Sequence, residues 1–232
     1  RRDSEAAIIY ASIDSVWNRS GEFIPFDVIL VDEAHRIPAR GEGKYRTFIN
    51  GCKRFSSHLR VVGFTATPYR MDGPICLQEV CYEVPIVRLL RDGYVCPLRS
   101  RIGDKLPDVS QVKRNGKGDY IESSLSAAVD TSDVVSAAVS EMMRIIRAED
   151  RRSVVIFAVD IAHCKHVSEE LRKHGVHAPY VTAKTPKPER DKLVNQFKAG
   201  QIGFLINVNV YTEGFNAKQV DCIVLLRPTL SK

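Results

Sequence analysis

The sequence lacks the features of membrane proteins and of disulfide-stabilised secreted domains. Apolar runs such as 28–31 and 223–226 end after a few residues, whereas a membrane-spanning helix needs roughly 18 or more. The six cysteines are scattered and none forms a C-x-x-C pair, so reduced thiols fit better than a disulfide framework. We therefore expect a cytoplasmic location and no membrane partner.

A complete phosphate-binding loop is also missing. The pattern G-x-x-x-x-G-K-[ST] supplies backbone amides, a lysine and a hydroxyl to the phosphates and Mg²⁺. Residues 43–45 read Gly-Lys-Tyr and residues 116–118 read Gly-Lys-Gly, so neither pair completes it. The chain begins with Arg1 rather than Met, and we expect it to be a piece of a longer protein at both ends.

The composition is that of a globular protein with a mild excess of positive charge. At 232 residues and 44% hydrophobic, the chain can bury a core in one large or two small domains. A net charge of +6 favours polyanionic partners. A solvated basic surface with no partner explains a charge of this size equally well.

Short β-branched apolar runs alternate with longer amphipathic segments along the whole chain. This rhythm predicts parallel sheets covered by helices on both faces. In the first half, the predicted strands are 8–13, 26–31 and 59–64, and the predicted helices are 45–55 and 85–91. In the second half, the predicted strands are 153–159, 179–183, 202–210 and 220–226, and the predicted helices are 161–174 and 186–199.

An irregular stretch separates the two halves. Residues 96–130 lose periodicity, which predicts a first domain at 1–95, a connecting region, and a second domain at 131–232. Thr131 offers a cap for a further helix, in which Met142 and Met143 are expected to fill the core.

Two adjacent acids, Asp32 and Glu33, follow the apolar run 28–31. Ligands of open parallel sheets bind at the carboxyl ends of the strands. There, one carboxylate can hold Mg²⁺ through water, and its neighbour can activate the water that attacks a γ-phosphate. The alternative is a solvated pair of acids that ends a strand and does nothing.

A Thr-Ala-Thr sequence, Thr65 to Thr67, ends the next predicted strand. Two hydroxyls that flank a small residue suit a crowded sheet edge, where each must bond a neighbour rather than water. The pattern alone is weak, but it becomes specific when it follows an Asp-Glu-Ala-His strand.

Segments 32–35 and 65–67 together resemble motifs II and III of the superfamily 2 helicases and translocases. Further segments resemble motif Ib (8–18), motif IV (154–158) and motif V (205–217). The sequences between the motifs are most similar to the RadD-like branch of bacterial and phage helicases, which is associated with DNA repair; they are 35–38, 67–70, 92–94, 118–120 and 189–191. The resemblance implies an α/β fold with two RecA-like parallel-sheet domains in tandem, the first of them truncated.

The resemblance also implies roles for residues of the first domain. Asp32 would bind Mg²⁺ through water, and Glu33 would be the catalytic acid that activates the hydrolytic water. His35 would sense the γ-phosphate, while Thr65 and Thr67 would couple the nucleotide state to domain closure.

The nucleic-acid contacts implied by the resemblance are Ser12, Arg70 and Thr212. Gly214 would allow a close approach of the chain, and it belongs with Asn216 to the nucleotide-binding set. Many relatives carry Asp at position 216. A neutral amide can still hydrogen-bond a ribose hydroxyl, but it removes a charge near Mg·ATP.

The implied function is an ATP-dependent helicase or translocase with ATP and Mg²⁺ as cofactors. DNA is favoured over RNA, with little sequence specificity, because backbone contacts do not read bases. The phosphate loop (motif I) and the Q-x-x-G-R-x-x-R segment (motif VI) are absent, so we expect the chain alone to hydrolyse ATP at background level. Two alternatives remain: a double-stranded DNA translocase of the restriction or remodelling type, and a non-hydrolysing nucleic-acid-binding module.

Two groups of side chains have simpler explanations. The basic residues near the predicted strand 179–183 either line the nucleic-acid track or form a solvated helix face; they are Lys184, Lys187, Arg190, Lys192 and Lys198. His163, Cys164 and His166 match no standard zinc signature, and we expect surface histidines on a helix.

Overall fold

The computed structural model describes residues 6–23, 25–38, 40–70, 73–74, 78–104, 106–116, 119–208, 210 and 215–229. The chain divides into two compact units, Arg1–Leu98 and Arg99–Lys232. Each unit contains a parallel sheet and its own apolar core.

The first unit is built on two parallel strands, β1 (Val28–Val31) and β2 (Arg60–Gly63). They are joined through helix α2 (Lys44–Lys53), whose Ile49 packs with Val31 of β1 in the core. A short helix, α1 (Ile13–Val16), precedes the sheet and contacts α2. The predicted strand–helix–strand order of this part is therefore confirmed.

The rest of the first unit holds a small hairpin and one helix. Strands β3 (Tyr69–Arg70) and β4 (Gly73–Pro74) pair antiparallel. Helix α3 (Ile86–Arg91) starts after Pro85 and is followed by Gly93 at φ +75°. This left-handed residue suits glycine after a helix end, as the sequence predicts.

The predicted strand at residues 8–13 is wrong. Residues 8–12 adopt no regular structure, Ile13 already belongs to α1, and the side chains of Ile8 and Tyr10 are 72% and 94% exposed. A β-branched run becomes a strand only when a neighbouring strand accepts its hydrogen bonds. Within the described part of this unit, the parallel sheet contains β1 and β2 alone.

The second unit contains a four-stranded sheet in the order β6-β7-β5-β8, in which every pairing is parallel. Its strands are β5 (Val154–Phe157), β6 (Tyr180–Val181), β7 (Phe204–Asn207) and β8 (Cys222–Leu225). Its helices are α4 (Glu122–Val129), α5 (Ser132–Ala148), α6 (Ile161–Lys173) and α7 (Lys187–Lys198).

Helices cover both faces of this sheet. Alternate residues of a strand point to opposite faces: Ile156 packs in one cluster with α5 and α6, and Val155 packs in another with Phe197 of α7. Met142 and Met143 of α5 are 6% and 3% exposed and lie in the first cluster. Their predicted place in the core is confirmed.

Helix α4 lies inside the predicted connecting region, 96–130. Its Leu125 and Val129 pack with Val112 and with Val159, the second residue after β5. The sequence does not predict this helix, because it spans only eight residues and carries small polar side chains that weaken its periodicity. Among the described helices, none is long and apolar enough to cross a bilayer.

Candidate functional site

The two predicted motifs of the first unit meet at the carboxyl ends of β1 and β2. The main-chain N–H of Ala34 donates to the oxygen of Phe64 at 2.9 Å, and the N–H of Phe64 donates to the oxygen of Val31 at 2.8 Å. These bonds extend the pairing of the strands beyond their ends. Asp32 and Glu33 are therefore held beside the chain that continues to Thr65.

The backbone turns sharply at Glu33. This residue has φ 51° and ψ 49°, in the left-handed region, and a short 3₁₀ turn over Ala34–Arg36 follows it. The N–H of Glu33 donates to Oδ1 of Asp32 at 2.9 Å. A non-glycine residue in this region is strained, and such strain recurs at functional sites.

His35 connects the acids to the threonines. Its Nδ1 lies 3.3 Å from Oε2 of Glu33 and 3.0 Å from Oγ1 of Thr65. The Thr65 hydroxyl donates to the main-chain oxygen of Thr67 at 3.1 Å and accepts from the N–H of Thr67 at 3.0 Å. Because a hydroxyl has one proton, this arrangement makes the His35 Nδ1–H the donor to Thr65.

The donor set at this edge fits Mg²⁺. Asp32 is exposed and the side chain of Glu33 is 44% exposed, so both carboxylates are open to a ligand. In the part of the chain that the structure describes, no three His, Cys, Asp or Glu side chains converge on one point. Mg²⁺ suits such a site, since it is commonly held by one or two carboxylates together with water and substrate phosphates.

Asn216 lies in the second unit and is exposed. The ring of Phe215 stacks on that of Phe197 with centroids 6.4 Å apart, and Nε2 of Gln219 donates to the main-chain oxygen of Phe197 at 3.2 Å. These two contacts hold the segment that carries Asn216 against the carboxyl end of α7.

The other predicted site residues are placed only in part. Thr212 and Gly214 lie outside the described residues, as does the side chain of Arg70. Ser12 is exposed, and its main-chain oxygen accepts from the N–H of Ser15 at 2.9 Å. Its side chain does not cap α1.

The prediction that His163 is a surface histidine is wrong. His163 is 2% exposed, and its Nδ1 accepts from the N–H of Val159 at 3.3 Å. Burial lowers the pKa of His163. The inward face of α6 follows the spacing 163, 164, 167 and 171. His166 is exposed and its Nδ1 lies 2.8 Å from Oδ1 of Asp130.

Both interpretations of the basic residues on α7 agree with the structure. Lys187 forms an ion pair with Asp191 one helical turn away, with Nζ and Oδ2 2.6 Å apart. Lys192 and Lys198 are exposed. A solvated helix face and a nucleic-acid track both remain compatible with this placement.

Two buried polar residues that were not predicted as site residues lie at the carboxyl ends of strands in the second unit. Thr182 follows β6 and is 4% exposed, and Asn207 ends β7 and is 0% exposed. The sequence offered one signal for both residues: each is a polar residue at the end of an apolar run that is predicted to be a buried strand.

Comparison with known proteins decides the family. The family "Type III restriction enzyme, res subunit" matches residues 4–70, and the family "Helicase conserved C-terminal domain" matches residues 137–232. "Putative ATP-dependent helicase IRC3" of Saccharomyces cerevisiae is 27% identical over 98% of this chain. The chain belongs to helicase superfamily 2. The predicted superfamily is thereby confirmed.

A solved structure agrees with the fold. The helicase domain of Pyrococcus furiosus Hef matches 94% of this chain and 69% of its own length, with a TM-score of 0.50 and 15% identity. The predicted fold of two tandem RecA-like domains is confirmed by this likeness.

A second relative by sequence is "DNA 3'-5' translocase XPB2" of Sulfurisphaera tokodaii, which is 22% identical over 97% of this chain. The chain spans 34% of the length of the yeast protein and 57% of the length of the translocase.

Proposed function

We propose that this chain is part of an ATP-dependent motor that acts on DNA in repair or recombination, with Mg²⁺ as the metal of its nucleotide site. The observation that carries the proposal is the contact of Glu33 and Thr65 with one His35 nitrogen, at 3.3 and 3.0 Å. Superfamily 2 membership supports ATP use. The similarity to a DNA translocase from Sulfurisphaera tokodaii supports DNA as the substrate.

The chemistry assigned to the acids follows from their positions. Mg²⁺, when bound, neutralises charge on the phosphates. Asp32 would hold this metal through water, and Glu33 accepts the proton of the attacking water. The His35 contact orients the Glu33 carboxylate, because Nδ1–H donates to it. Proton transfer to a positioned carboxylate of this kind typically contributes about 10²- to 10⁴-fold in rate.

The threonines relay a change at the nucleotide to the end of β2. Thr65 shares the Nδ1–H of His35 with Glu33. When Glu33 takes up the proton of the attacking water, its carboxylate loses its negative charge, and this shared hydrogen bond shifts towards Thr65. Thr67 follows through its two hydrogen bonds with Thr65.

A double-stranded DNA translocase is the second candidate. The match of residues 4–70 to the restriction-enzyme subunit family favours it. Strand-displacement and triplex-displacement assays separate the two, because a helicase releases a strand from a duplex and a translocase releases only the third strand of a triplex. A RadD-like helicase is expected to be active in the first assay.

The experiment that tests the function is ATP turnover by the full-length protein, titrated in parallel with single-stranded DNA, duplex DNA and RNA. We expect saturable stimulation by at least one form of DNA and weaker stimulation by RNA. Binding of all three without stimulation would instead support a non-hydrolysing binding module. Stronger stimulation by RNA would contradict the DNA assignment.

A further inference from the structure

A groove runs along helix α2 in the first unit. It has a volume of about 680 Å³ and lies between α2 and the chain that follows α1. One wall is formed by Trp17, Asn18 and Ser20. The other wall is formed mainly by polar side chains of α2 and by Arg54, the residue that directly follows this helix.

The wall on α2 carries a row of polar side chains. Arg46, Asn50 and Arg54 are four residues apart, so they lie on one side of the helix. At roughly 1.5 Å per residue, the two arginines are about 12 Å apart along the helix axis. Arg54 is exposed and forms no ion pair with the described residues. The row therefore presents positive charge to the groove.

Positive charge also exceeds negative charge around this groove. Among the described residues that border it, two are arginines and Glu42 is the one acid. Helix α2 itself contains three basic residues and no acid. This balance favours an anionic ligand, and Glu42 takes no part in the contacts proposed below.

Trp17 supplies the aromatic surface of the groove. It directly follows α1 and is half-buried. Within the described parts of the chain, its ring packs on no other aromatic ring and its indole N–H donates to no acceptor. A tryptophan that serves the core usually finds a partner for its N–H. A ring that borders a groove is instead available to stack on a planar ligand.

Two contacts hold the walls of the groove in place. Nζ of Lys44 lies 2.6 Å from Oδ1 of Asp14, which joins the start of α2 to α1. Towards the end of α2, Gly51 packs so closely on Ser20 that a Cβ at position 51 would overlap the Ser20 Oγ. The groove is therefore formed before a ligand arrives, which lowers the entropic cost of binding.

We propose that this groove binds single-stranded nucleic acid, with a base stacked on Trp17 and a phosphate held by Arg54. Grooves that combine cationic side chains with an aromatic platform bind single strands in this way, with little preference for sequence. Ser12, a predicted nucleic-acid contact, and Trp17 flank the same short helix, α1. The inference rests on the proposed function, because it takes nucleic acid as the ligand of the protein.

The fluorescence of Trp17 tests the proposal directly, since the 232-residue chain contains no second tryptophan. Oligothymidylate, a single-stranded DNA, is expected to quench this fluorescence saturably, because a stacked base contacts the indole ring. Polyglutamate, a polyanion without bases, is the control ligand and should leave the fluorescence unchanged. Absence of quenching by oligothymidylate would overturn the inference. Equal quenching by polyglutamate would also overturn it, in favour of an acidic peptide as the ligand.

A matched pair of variants tests the phosphate contact. Arg54→Gln and Lys53→Gln each remove one positive charge at neighbouring exposed positions, but Lys53 does not border the groove. Arg54→Gln should raise the Kd for oligothymidylate about fivefold. It should also make the slope of log affinity against log salt concentration shallower by about 0.7, the contribution of one phosphate contact on a single strand. Lys53→Gln should change neither quantity, and equal effects of the two substitutions would contradict the contact.

Failure of the proposed function gives a different result. In that case, no form of nucleic acid stimulates ATP turnover by the full-length parent. A parent that DNA stimulates, but in which Trp17 of the 232-residue chain does not respond to oligothymidylate, would keep the proposed function and contradict this inference alone.

Discussion

At the scale of single residues, Glu33 combines backbone strain with a predicted catalytic side chain. Its φ of 51° is a conformation that glycine adopts freely and that other residues avoid. The carboxylate nevertheless stands there, 3.3 Å from the His35 ring nitrogen. The geometry suggests that the fold tolerates strain at this position because the turn directs an acid to the sheet edge.

Replacing Glu33 by glycine tests this interpretation. Glu33→Gly is expected to raise the free energy of unfolding by up to about 1 kcal/mol, because relief of the left-handed backbone outweighs a partly exposed contact. The measurement is urea unfolding of the 232-residue chain. Asp150→Gly is the matched control, since Asp150 also has φ 51°. A loss of more than about 1 kcal/mol for Glu33→Gly alone would show that the carboxylate stabilises the turn.

At the scale of helices and strands, the sequence predicted those elements whose pattern is set by burial within the chain. The strand Val154–Phe157 is apolar throughout because helices cover both faces, and α6 runs from the cap at Asp160 almost to Gly175 as predicted. Elements that depend on particular partners were missed. Residues 8–12 have the composition of a strand, but no described strand of the first unit pairs with them. Helix α4 is too short to show a clear hydrophobic period.

The same distinction applies to the candidate site. The acids and threonines were predictable because strand ends of a parallel sheet converge at one edge. The role of His35 as the link between the acids and the threonines was not predictable, because it depends on distances between side chains. Asn207 was missed because a single polar residue at the end of a strand produces no periodic pattern in the sequence.

Two helix caps in the second unit provide a test at this scale. The N–H of His163 donates to Oδ1 of Asp160 at 2.8 Å, whereas the N–H of Val134 donates to Oγ1 of Thr131 at 3.4 Å. Asp160→Ala is therefore expected to lower the free energy of unfolding by about 1–2 kcal/mol, and Thr131→Ala by about 0.5 kcal/mol. Urea unfolding of both variants measures the difference, and an equal or reversed order would contradict the geometry.

At the scale of the whole molecule, each unit carries predicted site residues that come after strands of its parallel sheet in the chain. In the first unit these are Asp32, Glu33 and Thr65; in the second, the segment ending at Asn216 follows β7. The net charge of +6 adds support for a polyanionic partner but does not distinguish DNA from RNA.

The most direct test of the central claim is the DNA-stimulated ATP turnover of full-length Glu33→Gln beside Glu42→Gln. Both substitutions neutralise an acid of the first unit, but Glu42 is exposed and lies outside the contacts of His35. We predict that Glu33→Gln loses at least about a hundredfold in turnover, the usual contribution of a positioned base, while Glu42→Gln keeps the parent rate. Turnover of Glu33→Gln within a few-fold of the parent would contradict the account.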